Sequence, residues 1–121
     1  GDPEVPVGSY TREVLGRLPP GQSEAILDNV RSQEPDVGSI VGKLTQGAVD
    51  AGFVYVTDVT STDGALQAIE LATALQPDVS YGAAVVVGAN TPDGAREFID
   101  GLTDGDGALA LEEAGFKPPP G

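Results

Sequence analysis

The chain has 121 residues, 40% of them apolar and 5% aromatic, with 17 glycines and 10 prolines, so a small core of aliphatic side chains broken by many turns is expected. Six basic residues against nineteen acidic ones give a formal charge of −13, which repels phosphate backbones and anionic headgroups and argues against nucleic-acid and membrane-surface roles. Histidine and cysteine are both absent, which removes the usual triads, thiol nucleophiles, disulfides and zinc sites and leaves only carboxylates, Tyr, Ser, Thr and Lys for any catalysis.

Val7, Tyr10, Val14 and Leu18 recur at helical spacing after Pro6 and Gly8, and Pro19, Pro20 and Gly21 stop the pattern, predicting a helix over 9–18. A short helical stretch over 22–27 and a brief strand over 29–31 follow. Pro35 suits the first position of the next helix, in which Val37, Ile40, Val41 and Leu44 share one face and Gly47 is the stop.

Residues 52–56 and 68–71 read as short strands, the second after a turn at Asp63 and Gly64. Residues 83–87, apolar throughout, read as a strand buried on both faces of a parallel sheet. Thr91 and Pro92 form an N-cap and first-turn pair for a helix whose apolar face is Ala95, Phe98, Ile99 and Leu102. A last helix, over 107–114, ends at a Gly115 cap with Phe116 beyond it. Strands alternating with helices predict an α/β fold.

Motifs for metal or phosphate are weak. DGDG at 104–107 opens like a calcium loop, but Ala108 stands at the third ligand position and Gly115 at the terminal acidic one, so a helix-start turn accounts for it. GANTPDG at 88–94 lacks the lysine of a phosphate loop. No stretch reaches the roughly 20 apolar residues of a membrane span, and GDPEVPVG is not a signal peptide; any targeting segment is expected to have been removed or never present.

Helix starts near Val7 and Val37 and the hydroxyl of Tyr55 carry a different chemistry. The first amides of a helix lack internal partners and carry the positive end of its dipole, so they bind anions without a cationic side chain, and a phenol adds a neutral donor. Core packing for the two valines, and a backbone-bonded strand tyrosine for Tyr55, explain the same residues.

"GDPEVPVGSYTREVL", "PDVGSIVGKLTQGAVDAGFVYVTDV", "SYGAAVVVG" and "PDGAREFIDGLTDGDGALALEEAGF" resemble, in that order, the second half of the molybdate-binding proteins of ABC transporters, a group of type 2 periplasmic binding proteins. The motifs D-P-x-x-P-x-G and D-A-G-F-V-Y-x-T-D carry most of it. The resemblance implies a periplasmic-binding-protein-like α/β fold of type 2, a clamshell that captures molybdate or tungstate between two lobes. Residues 1–71 would be the second-lobe segment, and 72–121 a crossover strand and C-terminal helices that return to the first lobe. It further implies an extracytoplasmic or periplasmic binding protein, not an enzyme, with no cofactor, an ABC permease as partner of the intact protein, and a parent chain with or without a lipid anchor.

Carried over by position, the second lobe's oxyanion ligands are the amide of Val7, the amide of Val37 and the hydroxyl of Tyr55. Val7 stands where the family usually has alanine, and its two extra methyl groups threaten to crowd a ligand. Gly82 stands where a proline is common. The first lobe, which supplies two serine or threonine hydroxyls in the family, has no counterpart here. The C-terminal helices are therefore expected to repack on residues 1–71, meet a companion fragment or self-associate. A receptor for sulfate or another small oxyanion, and a free-standing interaction module, are the alternative readings.

Overall fold

A computed structural model describes residues 1–119. These residues form six α-helices and one short 3₁₀ turn, in two units, one spanning Gly1–Asp78 and the other beginning at Val79.

In the first unit α1 runs Pro6–Gly16, α2 Pro20–Asp28, α3 Val37–Thr45 and α4 Val56–Thr60, followed by the 3₁₀ turn Thr73–Leu75. Prolines open α1 and α2, where a residue without an N–H forfeits no helical bond. α1 starts three residues earlier than the spacing predicts, because Pro6 is itself pre-set for the first turn. Its buried side is Val7, Gly8, Val14 and Leu15; Leu18 lies past its end.

α3 corrects another boundary. Pro35 precedes the helix, and Asp36 is the N-cap, its Oδ1 accepting from the Ser39 N–H at 2.7 Å. A carboxylate cap satisfies an orphan amide, which proline cannot do. The expected stop at Gly47 is present: its φ of +70° lets the Ala48 N–H reach the Lys43 carbonyl at 2.9 Å and the Gly47 N–H reach that of Leu44 at 3.1 Å. Ile40 of the predicted face is buried, and Gly52 runs so close that a Cβ there would lie 3.0 Å from Ile40 Cγ2 and 3.3 Å from a Leu44 methyl.

The predicted strands are absent among the described residues. The 29–31 segment is a turn and irregular chain, residues 52–55 are irregular and unladdered, Val56 opens α4, and 68–71 and 83–87 carry no ladder. The expectation of a strand at 83–87 buried on both faces is overturned: Val86 is 76% exposed and Val87 fully exposed. An apolar run makes a strand only where a neighbouring strand takes up its N–H and C=O groups, and none lies beside these segments.

The second unit holds α5, Pro92–Asp104, and α6, Asp106–Glu113, packed on each other. Thr91 occupies the N-cap of α5 without a side-chain cap bond. The DGDG run is the corner between the helices, where a Cβ on Gly107 would lie 2.9 Å from the Gly101 carbonyl oxygen. At the end of α6, the Phe116 N–H bonds the Leu111 carbonyl and the Gly115 N–H that of Glu112, both at 3.0 Å, the predicted glycine cap. Phe98, expected on the apolar face of α5, is 70% exposed.

Candidate oxyanion site

Val7, Val37 and Tyr55 all fall in the first unit, each at the start of a helix. Val7 is the second residue of α1, after Pro6, which has no N–H. The first bond in the helical pattern is made by Ser9, whose N–H reaches the Val5 carbonyl at 2.9 Å, so the amides of Val7 and Gly8 lie ahead of the ladder. Val37 is the first residue of α3, and with Gly38 it precedes Ser39, whose N–H Asp36 caps. Tyr55 is the N-cap of α4; its N–H donates to Asp58 Oδ2 at 2.9 Å, and its carbonyl accepts from the Asp58 N–H at 3.0 Å.

Two links tie these starts together. The Asp2 N–H donates to the Glu34 carbonyl at 2.7 Å, joining the chain that leads into α1 to the chain that leads into α3. Glu34 is itself held, its carboxylate accepting from the Ser32 hydroxyl and lying 3.7 Å from Lys43 Nζ of α3. The rings of Tyr10 and Tyr55 meet edge to face, with centroids 6.5 Å apart and planes at 73°, joining α1 to the start of α4.

The side chain of Val7 is packed inward against the chain that leads into α1. It is 5% exposed, and its Cγ1 packs against Gly1, where a Cβ would lie 2.6 Å away. The backbone amide is a donor whatever the side chain.

Gly8 is the residue that the spacing does not reveal. A Cβ at position 8 would lie 2.5 Å from the Asp2 carbonyl carbon and 2.8 Å from the Gly1 carbonyl oxygen, so only glycine lets the lead-in pass over the first turn of α1. The signal for it is the last position of D-P-x-x-P-x-G, in which Asp2 and Gly8 both stand.

Carboxylates stand at two of these starts: Asp36 caps α3 and Asp58 bonds the N-cap of α4, while Lys43 of α3 is paired with Glu34. The donors that lie ahead of the helical ladders here are neutral amides, which act by short hydrogen bonds and not by long-range attraction. Among the described residues no group of three or more carboxylates is placed to hold a metal ion, and no helix is long and apolar enough to cross a membrane.

The chain is 31% identical over 117 residues to the molybdate-binding protein ModA of Mycobacterium bovis and to that of Mycobacterium tuberculosis. The match covers 97% of this chain and 42% of each relative, so the chain spans less than half the length of the curated relatives it matches. No solved structure matches. Residues 1–117 match the family described as bacterial extracellular solute-binding protein, and the chain belongs to that family.

Proposed function

We propose that this chain is the oxyanion-binding second-lobe portion of a solute-binding protein that takes up molybdate or tungstate for an ABC permease. In this reading the amides of Val7 and Val37 and the hydroxyl of Tyr55 donate to the oxyanion, without cofactor or catalysis. The protein works outside the cytoplasmic membrane, and residues 1–71 and 72–121 serve the second lobe and the return to the first.

The observation that carries the reading is the linkage of the three helix starts, through Asp2 to Glu34 and through Tyr10 to Tyr55, in a unit whose relatives are named for molybdate binding. Neutral donors suit a chain of charge −13, since an anion must be desolvated and held by contact where the long-range field opposes it. The exposed apolar segment 83–87 fits the same reading, as a strand that finds its ladder partners in a first lobe.

Titration of the ¹⁵N-labelled 121-residue chain with molybdate, tungstate and sulfate tests it. Saturable shifts of the Val7, Gly8, Val37 and Gly38 amides are expected with the first two anions, weaker ones with sulfate, and at least tenfold weaker binding after Tyr55→Phe. A preference for sulfate would move the assignment to a smaller oxyanion. Shifts elsewhere in the chain, or none with any anion, would overturn the site.

A further inference from the structure

We infer that Tyr10 is a positioning residue for Tyr55: its ring fixes the rotamer that places the Tyr55 hydroxyl at the oxyanion site. The inference rests on the proposed role of Tyr55 and adds a residue that the sequence pattern placed only on the apolar face of α1.

The backbone of Tyr55 is fixed independently of its ring. Two bonds to Asp58, at 2.9 and 3.0 Å, hold the residue in extended geometry at the N-cap, with φ −86° and ψ 153°. The χ1 and χ2 of an aromatic side chain follow from all that the side chain touches, and the Tyr10 ring is one such contact. Tyr10 meets it edge to face, at 6.5 Å and 73°, the geometry that the ring quadrupole favours.

Tyr10 is suited to this by its register. It follows Val7 by three residues in α1 and therefore lies on the same side of the helix, one turn below the amides that lead the ladder. Thr11 Oγ1 donates to the Val7 carbonyl at 2.6 Å within the same turn. One rigid turn thus holds an amide donor at its top and the ring that orients a hydroxyl donor at its side. A few tenths of an ångström decide whether donors converge on one oxyanion, so a ring free to change rotamer costs affinity even with its hydroxyl intact.

The experiment compares Tyr10→Phe, which keeps the ring, with Tyr10→Leu, which removes it. Tyr10→Met serves if the leucine variant does not fold. One readout, three-bond couplings and ring shifts of Tyr55 in ¹³C-tyrosine chain, needs no ligand; the other is molybdate affinity from the amide titration. Tyr10→Phe should match the parent in both. Tyr10→Leu should average the Tyr55 χ1 couplings over rotamers and weaken molybdate about three- to tenfold, while amide dispersion in α3 and α5 is retained. Unchanged Tyr55 couplings in Tyr10→Leu would overturn the inference, as would an equal loss of affinity in Tyr10→Phe, which would make the Tyr10 hydroxyl a direct partner. If Tyr55→Phe leaves molybdate binding unchanged, the donor role of Tyr55 fails; the couplings still decide whether Tyr10 sets its rotamer.

Discussion

The carbonyl of Asp2 lies over the Cα of Gly8, so closely that no side chain fits between them. The same helix carries a second glycine, Gly16, around which a Cβ would meet nothing within 4 Å. One substitution at its two ends should therefore have opposite effects. Gly8→Ala forces backbone against backbone and is expected to destabilise the chain by about 3 kcal/mol or more, a melting temperature lowered by roughly 10 °C or beyond. Gly16→Ala removes chain entropy at no steric cost and should stabilise by up to about 1 kcal/mol. Thermal unfolding by circular dichroism reads both, and a Gly8→Ala chain as stable as the parent would show that the lead-in does not hold its place over α1.

What the sequence made legible follows from which interactions are local. The α3 face, its glycine stop and the Gly115 cap depend on residues within a few positions of one another, and all three appear where the pattern put them. A strand depends on a distant partner, which is why 83–87 was read as buried and is exposed. Local signals mark the helix starts near Val7 and Val37 and the Tyr55 hydroxyl, and the resemblance joins them into one set, while the links among them join residues 32 and 45 positions apart, Asp2 with Glu34 and Tyr10 with Tyr55, beyond any periodicity. The need for Gly8 arises from a close approach of the lead-in chain, which no helical pattern encodes.

Asp36 caps α3 with a charged group at the end where the proposal places an anion. Its two roles separate by substitution. Asp36→Ala loses the bond to the Ser39 N–H and should cost about 1 kcal/mol, whereas Asp36→Asn keeps an acceptor and should stay within about 0.5 kcal/mol of the parent. Asn also removes a negative charge from the helix start, so molybdate affinity should rise modestly at low salt, with the gain shrinking as salt is added. Denaturant unfolding and the amide titration check the two halves. Weaker molybdate binding in Asp36→Asn would mean that the carboxylate supports the site and does not merely cap the helix.

Arg17, at the C-cap of α1, fastens a segment almost sixty residues away. Its Nη1 donates to the Gln76 carbonyl at 2.6 Å and to the Ala74 carbonyl at 3.4 Å, while Nη2 pairs with Glu13 Oε1 at 2.5 Å. The guanidinium is about a third exposed, so its contribution to global stability should be small, below about 1 kcal/mol. Its local effect should be larger, because the 3₁₀ turn it holds has few bonds of its own, the Leu75 N–H to the Ala72 carbonyl at 2.8 Å and the Gln76 N–H to that of Thr73 at 3.2 Å. Hydrogen exchange should show those two amides at least fivefold faster in Arg17→Ala, and nearly as fast in Arg17→Lys, which lacks the planar fork. Amides of α5 should not change. Equal exchange rates in parent and variant would mean that the contact does not persist in solution.

The exposed valines at 86 and 87 make the case for association of the chain with itself. An apolar run whose N–H and C=O groups enter no ladder can pair with another such run, and burial of two valine side chains per copy adds to the attraction, although the Val86 carbonyl already accepts from the Ala89 N–H at 3.1 Å in the turn that follows. Opposing it is a charge of −13 on every copy. The balance is therefore salt-dependent in a defined direction: added salt screens the repulsion and leaves the apolar contact intact, so the mass measured by light scattering should rise with both chain concentration and ionic strength. Val87→Lys, at a fully exposed position, should abolish that rise without lowering the melting temperature. A parent chain that stays monomeric from low to high salt would show that 83–87 does not pair with its own copy.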